Sequence, residues 1–318
     1  MRQAILEPPV RTPRRRSRRW VLVVAVAVVV LSAVGLFVAQ QVSAPPVAPG
    51  VVALPDVPWP SEGQAAAEVQ GLGSLGSSGE QTPVPIASLT KVMTAYVVLH
   101  DHPLSGDEPG PSITVDVQAQ DEAQSARSTG ESTVPVVAGQ RLTERQLLAL
   151  MLIPSGNNIA RLFARWDAGS QDAFVAKMNA VASSLGMHQT TYTGASGVED
   201  STVSTAVDQL ALARAAMDNP VIASIVDVRS MRIPGVPGTI VNTNTLLGRD
   251  SVVGLKTGST SAAGGALMWA ARPDLHLIVG VVLYQRPGGS ATGGLTAALD
   301  ASRKLVQGIE KALSYPPK

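Results

Sequence analysis

The chain has 318 residues, 45% of them hydrophobic, with 25 basic and 24 acidic side chains and no cysteine. Such a length and apolar content support one large domain or two small ones with a substantial core, so disorder is not the default. Without cysteine, disulfide staples, zinc fingers and thiol nucleophiles are all excluded.

The charge is unevenly placed. Residues 1–19 carry seven arginines (Arg2, Arg11, Arg14, Arg15, Arg16, Arg18, Arg19) and a single acid, Glu7. The remainder holds 18 basic and 23 acidic side chains, about −5 net, which argues against binding nucleic acid through its phosphates. From Trp20 to Ala39 there are twenty residues without a charge. At about 1.5 Å per residue a helix of that length spans roughly 30 Å, the hydrocarbon thickness of a bilayer. The pattern predicts a transmembrane anchor over 20–39, with the basic segment 1–19 cytoplasmic and everything after residue 40 outside. A cleaved signal peptide, and hence a secreted protein, is the alternative, because Val42-Ser43-Ala44 resembles a small-residue cleavage site. The apolar run is longer than a usual signal core and Pro45 follows the cut, which favours the retained anchor.

Six prolines between residues 40 and 60 (Pro45, Pro46, Pro49, Pro55, Pro58, Pro60) read as an extended, rather stiff linker over 40–58. The folded domain is expected over 59–313. Residues 64–70 fit a first strand or a short helix. Gly71-Leu72-Gly73-Ser74-Leu75-Gly76 formally matches a dinucleotide fingerprint, but Ser77-Ser78-Gly79 follows where a helix should open, so it reads as a turn-rich loop. Ser88 to His100 is expected to be helical, with Val92, Ala95, Tyr96 and Leu99 at i, i+3, i+4 and i+7. Thr143-Glu144-Arg145-Gln146 is a capping-box pattern that opens a helix ending at Pro154. Another helix begins after Ser155-Gly156 and runs to about Trp166, and amphipathic helices are expected over 174–185 and 208–217. Gly264–Arg272 and His276–Tyr284 read as a hairpin, the second strand apolar throughout as a covered central strand should be. A last helix carries Leu295, Ala298, Leu299, Leu305, Val306, Ile309 and Leu313 on one face. A helical middle between sheet-forming ends means α+β, with the terminal helix lying on an antiparallel sheet.

Three short motifs carry chemistry. Ser88-Leu89-Thr90-Lys91 puts a hydroxyl at a helix start and a lysine one turn later on the same face, within reach of the Ser88 oxygen. A helix N-terminus and a desolvated pocket both lower an amine's pKa, so neutral Lys91 can serve as base; taken alone, the same spacing is more often a surface serine and lysine on a helix. Ser155-Gly156-Asn157 sits in the break between two helices, where a hydroxyl beside a carboxamide can relay a proton and hold a substrate amide; the same residues also make ordinary caps and turns. Lys256-Thr257-Gly258-Ser259-Thr260 combines a cation, hydroxyls and a glycine on an edge strand, which suits an extended peptide ending in a carboxylate. A plain edge strand guarded by a lysine has the same look.

Their joint occurrence in this order resembles the serine D-alanyl-D-alanine carboxypeptidases, the low-molecular-mass penicillin-binding proteins of DD-peptidase/β-lactamase-like fold, over roughly residues 60–310. The likeness extends to Pro85-Ile86-Ala87, Ser128-Thr129-Gly130-Glu131-Ser132, Leu152-Ile153-Pro154, Ser196-Gly197 and Asn242-Thr243-Asn244-Thr245-Leu246-Leu247. The resemblance implies that Ser88 is acylated, Lys91 takes its proton, Ser155 passes that proton to the departing D-alanine, and Asn157 orients the substrate amide. It implies that Lys256 supplies positive potential, Thr257 and Thr260 bind the ligand, and the N–H groups of Ser88 and Ser259 beside Gly258 form an oxyanion hole. It further implies the peptidoglycan stem peptide as substrate, β-lactam antibiotics as covalent inhibitors, and neither metal nor cofactor. One departure stands out: the arginine that related enzymes often use for the substrate carboxylate falls near Ala298 here, with Arg286 as a substitute. A β-lactamase of the commonest class would need a deacylating glutamate between Ser155 and Val198, where Asp167 and Asp172 are the only acids. A binding module without turnover has no physical need to keep Ser88, Lys91, Ser155, Asn157, Lys256 and Gly258 together.

Overall fold

The computed structural model describes Leu54 and residues 56–273 and 276–314; the basic head, the apolar run 20–39 and most of the linker lie outside the described residues. Among the described residues no helix is long and apolar enough to cross a membrane.

Five antiparallel strands form the main sheet: β1 (Gln64–Val69), β2 (Gly73–Ser78), β3 (Val252–Thr260), β4 (Gly264–Ala271) and β5 (Ile278–Gln285), in the order β2-β1-β5-β4-β3. The first and last thirds of the chain therefore build the sheet, and the middle supplies helices. These are α1 (Thr90–Asp101), α2 (Val117–Thr129), α3 (Glu144–Leu152), α4 (Asn157–Ala168), α5 (Gln171–Ser184), α6 (Ala206–Asp218) and α7 (Pro220–Val226), with α8 (Ala291–Ser314) closing the chain. Two-residue and three-residue ribbons pair 84–85 with 203–204, 112–114 with 141–143, and 230–231 with 240–241.

The period-2 alternation of strands divides the core. Ala65, Ala67 and Val69 of β1, with Leu267, Trp269 and Val282, face α8 through Ala298, Leu305, Val306 and Ile309. The intervening residues Ala66, Met268, Ala270, Val279, Val281 and Leu283 face the larger helical cluster. The strand expected to be central and covered, β5, is the middle one, paired to β1 on one side and β4 on the other. Gly280 keeps it flat under the indole of Trp269, whose Cζ2 would lie 2.2 Å from any Cβ placed there.

One sequence expectation is narrowed and two change. The segment 64–70 resolves as strand, since all six residues of β1 are buried between two layers. The glycine-rich run expected to be a loop instead supplies β2, an edge strand whose partner register shifts by a bulge at Ala67/Glu68. Its glycines hid the strand by diluting the alternation. The helix expected from Ser88 starts at Thr90, after a 3-10 turn over Ala87–Leu89. All residues of that helix but Tyr96, His100 and Asp101 are buried, as in a helix surrounded by others. The capping box forms as read, with Thr143 accepting from the Gln146 N–H and Gln146 returning the bond.

Candidate active site

The turn before α1 sets the geometry of the first motif. Leu89 N–H donates to Ile86 O (3.3 Å) and Thr90 Oγ1 to Ala87 O (2.8 Å), so Ser88 sits on a tight 3-10 turn, half-buried. Ala87 takes φ +47° to make that turn. Gly197 packs directly behind it at φ +79°, where a Cβ would strike the Ala87 carbonyl, so only glycine fits. One turn on, Lys91 is completely buried. Its Nζ lies 2.9 Å from Ser88 Oγ, 2.6 Å from Asn157 Oδ1 and 2.6 Å from the Ser196 carbonyl. Burial holds its pKa well below the usual lysine range; the Lys256 ammonium and the Arg161 guanidinium push the same way, against Glu199 and Glu131.

The second motif lies at the corner between α3 and α4. Ser155 takes φ +67° and is buried, and Gly156 caps α4, donating its N–H to Leu150 O (3.2 Å). Asn157 then opens α4, with its backbone N–H on Ser132 O (2.8 Å) and its Nδ2 on Glu131 Oε2 (3.0 Å). The next residue, Asn158, spans to Val134 N–H, Val134 O and Ala119 O, fixing the 131–134 segment against the helix.

The third motif runs along β3, the sheet edge next to that corner. Lys256 is 1% exposed, donates to Thr257 O at 3.1 Å, and has its pKa lowered by burial to about 7. Gly258 faces the nucleophile turn at close range: a Cβ there would lie 2.9 Å from Ile86 O, 2.9 Å from Leu89 Cδ1 and 3.1 Å from Ser88 N. Ser259 and Thr260 are half-buried, and Thr260 Oγ1 accepts from Ala263 N–H (3.0 Å) in the turn to β4. Thr243 joins the second and third motifs. Its N–H donates to Ile153 O (3.2 Å) and its hydroxyl meets Thr257 Oγ1 at 2.6 Å.

Ser88, Lys91, Asn157, Lys256 and Gly258 thus converge although they span 170 positions of sequence, with Ser155 in the corner beside Asn157. The two residues considered for carboxylate binding do not join them. Ala298 is fully buried between α8 and the sheet. Arg286 is exposed and lines a different cavity of about 400 Å³, with Trp59, Glu62, Asp300 and Lys304. Glu131, the Ser196 carbonyl and Thr243 join the site from runs that carry the family likeness without a role assigned to them. Arg161 joins it with no signal in the sequence.

A protein-family profile described as D-alanyl-D-alanine carboxypeptidase, peptidase S11, matches residues 74–286. The chain belongs to this family. The peptidase is 35% identical over 241 residues to the D-alanyl-D-alanine carboxypeptidase DacB2 of Mycobacterium tuberculosis, covering 74% of this chain and 78% of that one. It is 33% identical to the D-alanyl-D-alanine endopeptidase of Escherichia coli K12, covering 69% and 67% respectively. Its fold is that of a solved variant of the Streptomyces K15 DD-transpeptidase, with TM-score 0.70 and 25% identity, covering 81% of this chain and all of the other. The helix-flanked antiparallel sheet is therefore of the DD-peptidase and β-lactamase type.

Proposed function

We propose that the protein is a serine DD-peptidase that removes the terminal D-alanine from D-Ala-D-Ala stem peptides of peptidoglycan through an acyl-enzyme, and that β-lactams acylate the same serine. The observation that carries this reading is the Lys91 amine held between Ser88 Oγ, Asn157 Oδ1 and the Ser196 carbonyl. A buried amine beside Lys256 favours its uncharged form. Uncharged, it keeps two hydrogens and one lone pair. The two shortest contacts are to oxygens that can only accept, so they take the hydrogens, and the lone pair is left for the Ser88 hydroxyl proton.

Ser88 Oγ then attacks the carbonyl between the two D-alanines while Lys91 receives the proton. The developing oxyanion is held by the Ser88 and Ser259 N–H groups, an assignment supported by the close approach of Gly258, the neighbour of Ser259, to the Ser88 N–H. Each such donor is worth roughly 3–4 kcal/mol in a transition state. Ser155 relays the proton to the leaving D-alanine, and Asn157 orients the substrate amide. Lys256, Thr257 and Thr260 receive the terminal carboxylate, a task that falls to them because Ala298 and Arg286 lie elsewhere. Water releases the acyl group. The basic head and apolar run hold the catalytic domain on the outer face of the membrane by a single N-terminal span, with the proline-rich linker between.

The test uses a fluorescent penicillin and a synthetic D-Ala-D-Ala pentapeptide. Wild-type protein is expected to label covalently and to release one D-alanine by mass spectrometry, and Ser88→Ala to do neither. Labelling that survives in Ser88→Ala removes the assignment of the nucleophile. Product analysis with an added acceptor amine separates hydrolysis from transpeptidation.

A further inference from the structure

The site contains a charged row that the acyl-transfer scheme does not use. Asn157 Nδ2 donates to Glu131 Oε2 (3.0 Å), and the same oxygen accepts from Arg161 Nη2 (3.0 Å). Arg161 Nη1 lies 3.6 Å from Glu122 Oε2, and Glu122 Oε1 accepts from Arg165 Nη1 (3.2 Å). Lys91, Asn157, Glu131, Arg161, Glu122 and Arg165 thus form a continuous row from the amine to the outer face of α4 and α2. All three of Arg161, Glu122 and Glu131 keep a quarter or less of their side chains exposed, which limits solvent screening.

We propose that Glu131 is a positioning residue: its carboxylate fixes which end of the Asn157 amide faces Lys91, and its charge, balanced by Arg161, sets how readily Lys91 takes up a proton. This deepens the reading above and rests on Lys91 being the base. A carboxamide is nearly symmetric in shape, so packing alone does not select its orientation. A carboxylate accepts hydrogen bonds and donates none. Facing Glu131, the amide must present its nitrogen to that side, which leaves Oδ1 for the amine. With the carboxylate gone, a flipped amide would set Nδ2 against Lys91, donor to donor, and compete for its lone pair.

The electrostatic half follows from what surrounds the amine. From β3 comes Lys256 and from α4 Arg161, both favouring the neutral form; from the loop after Ser196 comes Glu199 and from the loop after α2 comes Glu131, both favouring the charged form. Ser88, Asn157 and Ser196 contribute neutral partners. Removing the Glu131 charge tips the balance toward neutral Lys91, and removing Arg161 tips it back.

The experiment measures the second-order acylation rate of the full-length protein by a fluorescent penicillin from pH 5 to 10, for wild type, Glu131→Gln and Arg161→Gln. The rate should rise with pH as Lys91 deprotonates. In Glu131→Gln the midpoint of that rise is expected lower by on the order of half a unit to one unit, and in Arg161→Gln higher by a similar amount. Glu131→Gln should also lower the plateau rate about tenfold, because glutamine no longer dictates the amide's orientation. A midpoint does not depend on the fraction of active molecules, so partial misfolding leaves the reading intact. An unmoved midpoint in Glu131→Gln, or shifts of the two variants in one direction, overturns the proposal while leaving Lys91 as base. No rise with pH in wild type, or acylation that persists in Lys91→Ala, overturns the base assignment and the proposal with it.

Discussion

Gly258→Ala tests how closely strand β3 must approach the nucleophile turn. Residue 258 does not adopt a left-handed backbone conformation, so alanine is compatible with the local chain. The obstacle is space: the added methyl would lie 2.9 Å from Ile86 O, 2.9 Å from Leu89 Cδ1 and 3.1 Å from Ser88 N. Leucine can swing its methyl aside, but the Ile86 carbonyl and the Ser88 nitrogen belong to the turn itself. Restoring ordinary contact of roughly 3.5 Å means parting β3 from the turn by about half an ångström. Overpacking of this kind costs about 1–3 kcal/mol, which for a domain of this size lowers Tm by roughly 2–12 °C. The catalytic cost should be larger than the structural one. In the proposed oxyanion site the same displacement would part the Ser259 N–H from that of Ser88, and misplacement on this scale costs on the order of tenfold to a hundredfold. Stopped-flow acylation with a fluorescent penicillin, paired with thermal unfolding, reads both quantities. A variant with the expected drop in Tm and a wild-type acylation rate would show that the approach of the strand does not build the oxyanion site.

Lys91→Ala should keep its fold, with circular dichroism unchanged, and lose acylation by on the order of a thousandfold; a normal rate in a folded variant would remove Lys91 as base. Lys256, with its pKa lowered by burial to about 7, is cationic below that pH and neutral above it in the free enzyme. The preference for a free terminal carboxylate over its amide, measured as a ratio of kcat/KM, should therefore fall between pH 6 and 8, and Lys256→Ala should abolish that pH dependence. Glu144 is fully buried, neither carboxylate oxygen has a hydrogen-bond partner among the described residues, and burial raises its pKa to about 7, opposed by Arg145. Its folded value thus lies above the unfolded one of 4.5, so stability is full at low pH and declines as pH rises from about 4.5 to 7. The decline amounts to roughly 3–4 kcal/mol, and Glu144→Gln should flatten it in a series of unfolding curves across that range.

The elements that were legible in the sequence are those whose signals are local. Helix α3 declares itself through Thr143 and Gln146, whose reciprocal bonds form as the capping box requires. Strand β5 declares itself through an unbroken apolar run, which only a middle strand covered on both faces can bury. Strand β2 did not, because its glycines carry no side chain to show alternation, and its place comes from pairing with β1 rather than from its own preference. Helix α1 announces itself through the periodicity of Val92, Ala95, Tyr96 and Leu99, but that periodicity accounts for only part of its burial. The rest of it is buried by elements that arrive more than fifty residues later, among them α4 through Asn157 and the 195–196 segment through the carbonyls that accept from Thr94 and Lys91.

The same division governs the site. A hydroxyl and an amine three residues apart fix their own separation, so Ser88 and Lys91 could be paired from spacing alone, and they stand 2.9 Å apart. What that spacing cannot contain is the charge balance on the amine. That balance depends on Lys256 from an edge strand, Arg161 from the second turn of α4, and Glu131 and Glu199 from loops, none of which is near Lys91 in sequence. Motifs name the atoms that react, and the intervening segments determine how those atoms titrate. Of the residues that set the proton affinity of Lys91, only Lys256 lies within a motif. Two relatives that share all three motifs can therefore differ in the pH at which they acylate, wherever residues 131, 161 and 199 differ in charge.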